Sequence, residues 1–128
     1  TALPDDPYQA IGATKDMLEA TMRTILHGRG HTDVDQHDFP ALTTHCFSEL
    51  GLIATTVPTT QGERHVRKIA SSAKNMIETA NALRNLAGTG HGRIVGEEEV
   101  VTAVDASLVA SSGLVLASWL LRHAKNSK

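Results

Sequence analysis

The sequence predicts an all-α fold, an antiparallel bundle of four helices. In the long segments between Gly and Pro breakers, apolar residues recur at the three- and four-residue spacing of amphipathic helices. No stretch of useful length alternates apolar and polar residues as a half-buried strand does. A chain of 128 residues suits one domain with a modest core. We therefore expect residues 1–128 to form a single domain, excised from a longer protein because the chain opens on Thr1 rather than Met.

Start and stop signals delimit the first two helices. Asp6 as a cap and Pro7 at the first helical position predict a helix start, and this helix is expected to end at Gly28. A polar segment without periodicity follows and is expected to be a loop. Pro40 then opens a shorter helix that Gly51 stops.

Two longer helices complete the expected bundle. Thr60-x-x-Glu63 is a capping box that starts the third helix. Its core-facing stripe is expected to be Val66, Ile69, Ala73, Met76, Ile77, Ala80 and Leu83. The fourth helix is expected to begin near Glu97 or Val101 and to end near His123. Its small residues allow close packing, and its apolar volume comes from Val104, Leu108, Val115, Leu116, Trp119 and Leu120.

Charge is unevenly distributed along the chain. The net charge of −2 argues against a general nucleic-acid binder. Residues 62–96, however, hold six Lys and Arg against two Glu, a local charge of +4. This distribution favours an anionic ligand there, although a solvated helix face explains Arg64, Arg67 and Lys68 equally well.

Composition also suggests where the protein resides. No run of about 18 apolar residues and no signal peptide are present, so we expect no membrane span. Cys46 is the single cysteine, which rules out an internal disulfide and fits a reducing cytoplasm. We expect Cys46 to be a small buried hydrophobic residue on a helix.

Seven histidines require a metal site to be considered. The segment His31-x-Asp33-x-Asp35-x-His37-Asp38 offers candidate ligands on alternate residues. It matches no standard zinc spacing, so a solvated acidic loop is the favoured interpretation over a metal site. His45 is interpreted as a surface or helix-end residue. We therefore expect no metal and no other cofactor.

The stretch Leu83–Arg93 holds the candidate chemistry. On a helical wheel Arg84 falls inside the apolar sector of the third helix and Asn85 falls outside it. An arginine in that sector needs an acceptor. Gly88, Gly90 and Gly92 then end the helix and expose backbone N–H groups beside His91 and Arg93. The other interpretation is purely structural: Arg84 caps the C-terminal carbonyls of its own helix, and His91 is a loop residue without a catalytic role.

These residues carry a family resemblance. Arg84-Asn85, the glycine-rich run and His91 resemble the Arg-x(4–6)-His motif of HEPN domains, small helical domains that include RNA-cleaving toxins. The surroundings more specifically resemble the C-terminal domain of abortive-infection (phage-defence) proteins. The matching pieces are Ala10–Ala20, Leu83–Asn85 with Gly88–Arg93, and the last helix ending Trp119-Leu120-Leu121.

The resemblance implies a metal-independent endoribonuclease. His91 would act as general base and acid, Arg84 would bind the scissile phosphate, and Asn85 would assist. Gly90, Gly92 and Arg93 would contact RNA phosphates. It also implies a homodimer and, as further partners, RNA and the N-terminal domain of the same protein. The alternative is a non-catalytic helical module for dimerisation, or for RNA or partner binding, within a larger defence protein.

Overall fold

The computed structural model describes residues 7–53, 60–88 and 102–126, with all side chains in these ranges except those of Ile77 and residues 83–88. All regular structure in these ranges is helical, so the predicted all-α class with four helices is confirmed. The elements are α1 (Pro7–Gly28), a 3-10 turn (Val34–Gln36), α2 (Phe39–Glu49), α3 (Gln61–Gly88) and α4 (Ala103–Asn126).

Glycines in the left-handed region end α1 and α2. Helix α1 stops at Gly28 as predicted, but the residue with positive φ is Gly30, at +90°. Its N–H donates to the carbonyl of His27, and the next N–H donates to that of Leu26. Gly51, at φ +71°, closes α2 in the same way. In both places glycine allows a sharp stop that other residues rarely permit.

Side-chain caps set the starts of α2, α3 and α4. Asp38 accepts a hydrogen bond from the backbone N–H of Ala41 at 2.9 Å. Thr60 accepts one from Glu63 at 3.0 Å, as the predicted capping box requires. Thr102 and Asp105 form a reciprocal box with bonds of 3.2 and 3.1 Å.

The last helix starts later than expected, directly after the cap at Thr102. Helix α4 begins at Ala103, later than the predicted Glu97 or Val101, because the Thr102 hydroxyl satisfies the N–H of Asp105. Its last helical residue is Asn126, three beyond the predicted end. The acidic group in the first turn of α4 is Asp105, and residues 89–101, with the glutamate run, lie outside the described ranges.

Helices α1 and α4 pack most extensively and run parallel to each other. At their starts Ala10 and Ala106 share one buried cluster, and at their ends the Arg29 guanidinium donates to the carbonyl of Ala124 at 3.0 Å. Midway, a Cβ at Gly113 would overlap the Thr14 methyl, so glycine is required for the observed approach. The prediction that small residues on the last helix allow close packing is confirmed. Helix α3 runs antiparallel to both.

Most of the core lies at the end of the bundle where α1 and α4 terminate. Its largest members come from α1, α2 and α4, and include Met22, Leu26, Leu42, Phe47 and Leu120. Cys46 is fully buried among them, as predicted, and burial raises the pKa of its thiol from 9.0 to about 12. The thiol is therefore protonated at neutral pH.

Several residues expected in the core are exposed. On α3 the side chains of Val66 and Ile69 are 45% and 68% exposed, and the buried residue there is Ala70. On α4 Val104, Leu108 and Val115 face outward, whereas Leu116 and Leu120 are buried as expected. The reason is that α4 is apolar on most of its circumference, and α1 covers only one side of it.

The apolar composition of α4 also bears on whether this helix could span a membrane. By length and apolar content this helix is capable of crossing a membrane, and 28% of its apolar window is buried. One such helix does not by itself place the domain in a membrane, but it corrects the expectation that the chain holds no apolar stretch long enough to span one.

Candidate functional site

The helical half of the predicted motif lies in the last two turns of α3. The backbone of Arg84 and Asn85 is within Gln61–Gly88, and the helix ends at Gly88, where the glycine run begins. The side chains of Arg84 and Asn85 lie outside the described part of the structure. Gly90, His91, Gly92 and Arg93 also lie outside it, so their predicted roles stay predictions.

A small apolar cluster surrounds the preceding turn of α3. Ala80 packs against buried Ala10 and Ile11 at the start of α1 and buried Ala106 at the start of α4, and Tyr8 and Val109 pack against the same three residues. Arg84 follows Ala80 by one helical turn. The helical half of the motif, Arg84 and Asn85, therefore lies at the end of the bundle where α3 finishes and where α1 and α4 begin.

The dipoles of three helices place partial charges at this end of the bundle. The N–H groups in the first turns of α1 and α4 carry partial positive charge, which favours an anion, although at α4 the Thr102 hydroxyl already accepts from the N–H of Asp105. The C-terminal end of α3 carries partial negative charge, which stabilises a cationic side chain such as Arg84. Each of these effects is worth about 0.3–1 kcal/mol at an exposed helix end.

A polar group that the sequence pattern did not indicate lies next to the motif. The side-chain oxygen of Asn81 is buried and accepts no hydrogen bond from the described residues. A buried amide oxygen without a donor costs about 1–3 kcal/mol. Asn81 is three residues before Arg84 on α3, a spacing at which helix side chains meet. Asn81 is therefore a candidate hydrogen-bond acceptor for Arg84, for which the sequence pattern indicated no acceptor.

The basic residues of α3 do not all gather at the motif. Arg67 pairs with Glu63 at 2.9 Å and Lys74 with Glu78 at 3.0 Å, which neutralises two of the cations. Lys68 is exposed, but a helical rise of 1.5 Å per residue puts it about 24 Å from Arg84 along the axis. The basic residues of α3 are thus spread along the helix and do not gather at the end that bears Arg84.

Three histidines meet at another part of the surface, near the start of α2. His37 Nε2 lies 3.1 Å from His45 Nδ1, and the rings of His31 and His45 meet edge to face at 4.7 Å. The acidic residues of the loop are directed elsewhere: Asp35, for example, pairs with His27 at 3.3 Å. In the described residues, no three His, Cys, Asp or Glu side chains are placed to hold one metal ion.

The described side chains also form an apolar groove between α3 and α4. It has a volume of about 650 Å³ and is lined by Ile69, Ala73 and Met76 on one side and by Val115 and Trp119 on the other. Most large apolar side chains exposed in the described structure lie on these two helices. Such a surface is typical of a site that another surface covers.

A comparison with protein families identifies the chain. No curated protein and no solved structure matches it significantly. The family profile Abi_C, described as a HEPN-like domain, matches residues 2–124, almost the whole chain. The matched range includes the last turns of α3 and the glycine-rich stretch with His91. The all-helical architecture agrees with that family. The chain belongs to the HEPN-like domains found at the C-terminus of abortive-infection proteins.

Proposed function

We propose that this domain is a metal-independent endoribonuclease of a phage-defence system. The observation that carries the proposal is the family match over residues 2–124, because that range contains Arg84 and His91 at the spacing of the RNA-cleaving motif. The location of Arg84 supports it, since the end of α3 lies beside the two helix starts that favour an anion.

The proposed reaction is an internal transesterification of RNA. The imidazole of His91 takes the proton of a ribose 2′-hydroxyl, and the 2′-oxygen attacks the adjacent phosphorus. The bond from phosphorus to the 5′-oxygen breaks, and that oxygen receives the proton back from the His91 imidazolium. The products are a 2′,3′-cyclic phosphate and a 5′-hydroxyl end. Arg84 holds the phosphate and stabilises the charge that grows on its oxygens.

Asn81 would act as a positioning residue in this proposal. Its side-chain oxygen is buried without a donor among the described residues and would accept a hydrogen bond from the Arg84 guanidinium, which would fix the direction of that side chain. Asn85, together with the backbone N–H groups of Gly90 and Gly92 and the side chain of Arg93, would contact the flanking phosphates. We expect Asn81→Ala to lower kcat/KM while Asn75→Ala, at an exposed position of the same helix, leaves it unchanged.

RNA cleavage in the presence of EDTA tests the proposal. Purified protein should cut single-stranded RNA with divalent ions chelated, and the new 3′ ends should be cyclic phosphates. His65→Ala removes an exposed histidine from α3 and serves as the matched control for His91→Ala. Cleavage by wild type and by His65→Ala, but not by His91→Ala, is expected. Equal cleavage by all three would point to a contaminating nuclease and would refute the assignment.

We also propose that the domain is a homodimer with both motifs near the two-fold axis. Val104 and Leu108 are 79% and 68% exposed on the first turns of α4, at the same end of the bundle as the motif. Covering them with a second copy removes apolar surface from water and brings two weakly basic sites together. Sedimentation should show dimers at micromolar concentration.

A pair of substitutions tests the dimer surface. Leu108→Asp places a charge in the proposed contact and should weaken dimerisation at least tenfold. Ser118→Asp adds the same charge at an exposed position further along α4 and should leave it unchanged. A wild-type protein that stays monomeric above micromolar concentration would contradict the proposal.

The second candidate function is a non-catalytic binding module. The groove between α3 and α4 favours it, because its apolar lining of Ile69, Met76, Val115 and Trp119 suits an apolar partner segment more than a charged nucleotide. A protein that binds RNA or a partner but never cleaves RNA would support this function instead of the nuclease.

A further inference from the structure

The three histidines near the start of α2 form a cluster that the proposed nuclease does not use. His31 and His37 come from the loop after α1, and His45 comes from the second turn of α2. The Arg23 guanidinium donates to the His37 carbonyl at 3.2 Å and holds the loop against α1. The His31 ring contacts that of His45 and places its Nε2 3.1 Å from a carboxylate oxygen of Glu49.

The distance between His37 and His45 fits two ligands of one metal ion. Zinc–imidazole bonds of about 2.0–2.1 Å place two ligand nitrogens about 3.3 Å apart in a tetrahedron and about 2.9 Å apart at a right angle. The observed separation of 3.1 Å lies between these values. Both side chains are half-buried, so each ring has a solvent-facing side. To bind one ion, both rings must rotate from their mutual hydrogen bond toward that side.

We propose that His37 Nε2 and His45 Nδ1 bind a divalent transition-metal ion such as Zn²⁺, with water in the remaining positions. Neutral imidazole is a common ligand for such ions. These two nitrogens bond to each other in the structure, so an ion that binds between them replaces that hydrogen bond.

The charged groups near the pair form ion pairs with one another. Arg29 pairs with Glu49 at 3.8 Å, and Arg23 pairs with Glu19 and Asp35, so neither arginine is an uncompensated positive charge beside the two histidines. A bound ion joins the loop to α2 and therefore stabilises the folded state by mass action. The site is independent of the proposed nuclease, which needs no metal.

Calorimetric titration with Zn²⁺ at pH 7.5 tests the proposal. One ion should bind per chain, and EDTA should reverse the accompanying rise in Tm. His37→Gln and His45→Gln keep a polar group of similar size but remove the imidazole, and each should weaken binding at least tenfold. His65→Ala, at an exposed position of α3, should bind as wild type does. Circular dichroism confirms that each variant is folded.

The nitrogen NMR spectrum of the histidine rings provides a second readout. Zn²⁺ should change the chemical shifts of His37 Nε2 and His45 Nδ1, and the ring resonances of His65 should not move. Binding that survives both glutamine substitutions, or that shifts the nitrogens of other histidines only, would overturn the assignment. So would the absence of binding at millimolar Zn²⁺.

Discussion

The close contact between α1 and α4 predicts how Gly113→Ala changes the free energy of unfolding. Gly→Ala inside a helix normally stabilises a protein by about 0.5–1 kcal/mol. At Gly113, however, the new methyl would overlap the methyl of Thr14. Overpacking a buried site costs about 1–3 kcal/mol. The expected net effect of Gly113→Ala is thus a loss of about 0–2.5 kcal/mol, or up to about 10 °C in Tm for a chain of this size.

A double-mutant cycle isolates that contact. Thr14→Ser deletes the methyl that would clash and keeps the hydroxyl, which bonds the carbonyl of Ala10 at 2.9 Å. By itself it should cost about 1 kcal/mol for the lost methyl. When Thr14→Ser is already present, Gly113→Ala should be neutral or stabilising, so that the coupling energy is about 1–3 kcal/mol.

Urea unfolding followed by circular dichroism at 222 nm measures all four proteins. Gly62→Ala is the matched control, because Gly62 is helical and a methyl there meets nothing within 4 Å. It should be neutral or slightly stabilising. A Gly113→Ala protein as stable as Gly62→Ala, or a coupling energy near zero, would refute the parallel packing of α1 and α4 that positions the start of both helices beside the motif.

Three other predictions follow from the core and the caps. Phe47→Ala should cost about 3–5 kcal/mol in urea unfolding, whereas exposed Leu114→Ala should stay within about 0.5 kcal/mol. Asp38→Ala removes the cap of α2 and should cost about 1 kcal/mol, and a Tm equal to wild type would contradict that role. The Cys46 thiol should resist alkylation at pH 8 until urea unfolds the protein. Because its pKa rises from 9.0 to about 12 on folding, stability should be unaffected below pH 9 and fall between pH 9 and 12.

Local signals explain which parts of the fold were predictable. The stop at Gly51 and the cap at Thr60 depend on backbone groups within a few residues, so the sequence contains the whole interaction. The start of α4 was misplaced because the glutamate run looked like a first turn, whereas a Thr–Asp box further along supplies the cap.

Tertiary packing explains the misjudged helix faces. Helix α4 is apolar on most of its circumference, so periodicity cannot say which side α1 covers. On α3 the expected stripe extends to Val66 and Ile69, but the other helices cover this end only at Ala70. Their exposure depends on which faces the other helices cover, which sequence spacing does not contain.

The residues of the candidate sites also differ in how far the sequence could predict them. Arg84 and His91 were found because a motif with fixed spacing joins them. Asn81 and His45 were not singled out, because their importance depends on neighbours: Asn81 on a buried oxygen without a donor among the described residues, and His45 on a loop that folds back to it. The acidic residues of that loop were weighed as ligands, but Asp35 pairs with Arg23 and His27 instead.

The central claim is that Arg84 and His91 act together on one phosphate, and a kinetic cycle tests it most directly. The rate of RNA cleavage in EDTA is measured for wild type, Arg84→Lys, His91→Ala and the double variant. Arg84→Lys keeps the charge but loses the planar two-pronged grip, so it should cleave at least tenfold more slowly. His91→Ala should abolish cleavage, and the double variant should be hardly worse than His91→Ala alone. Full cleavage by His91→Ala would contradict the nuclease and leave the binding module.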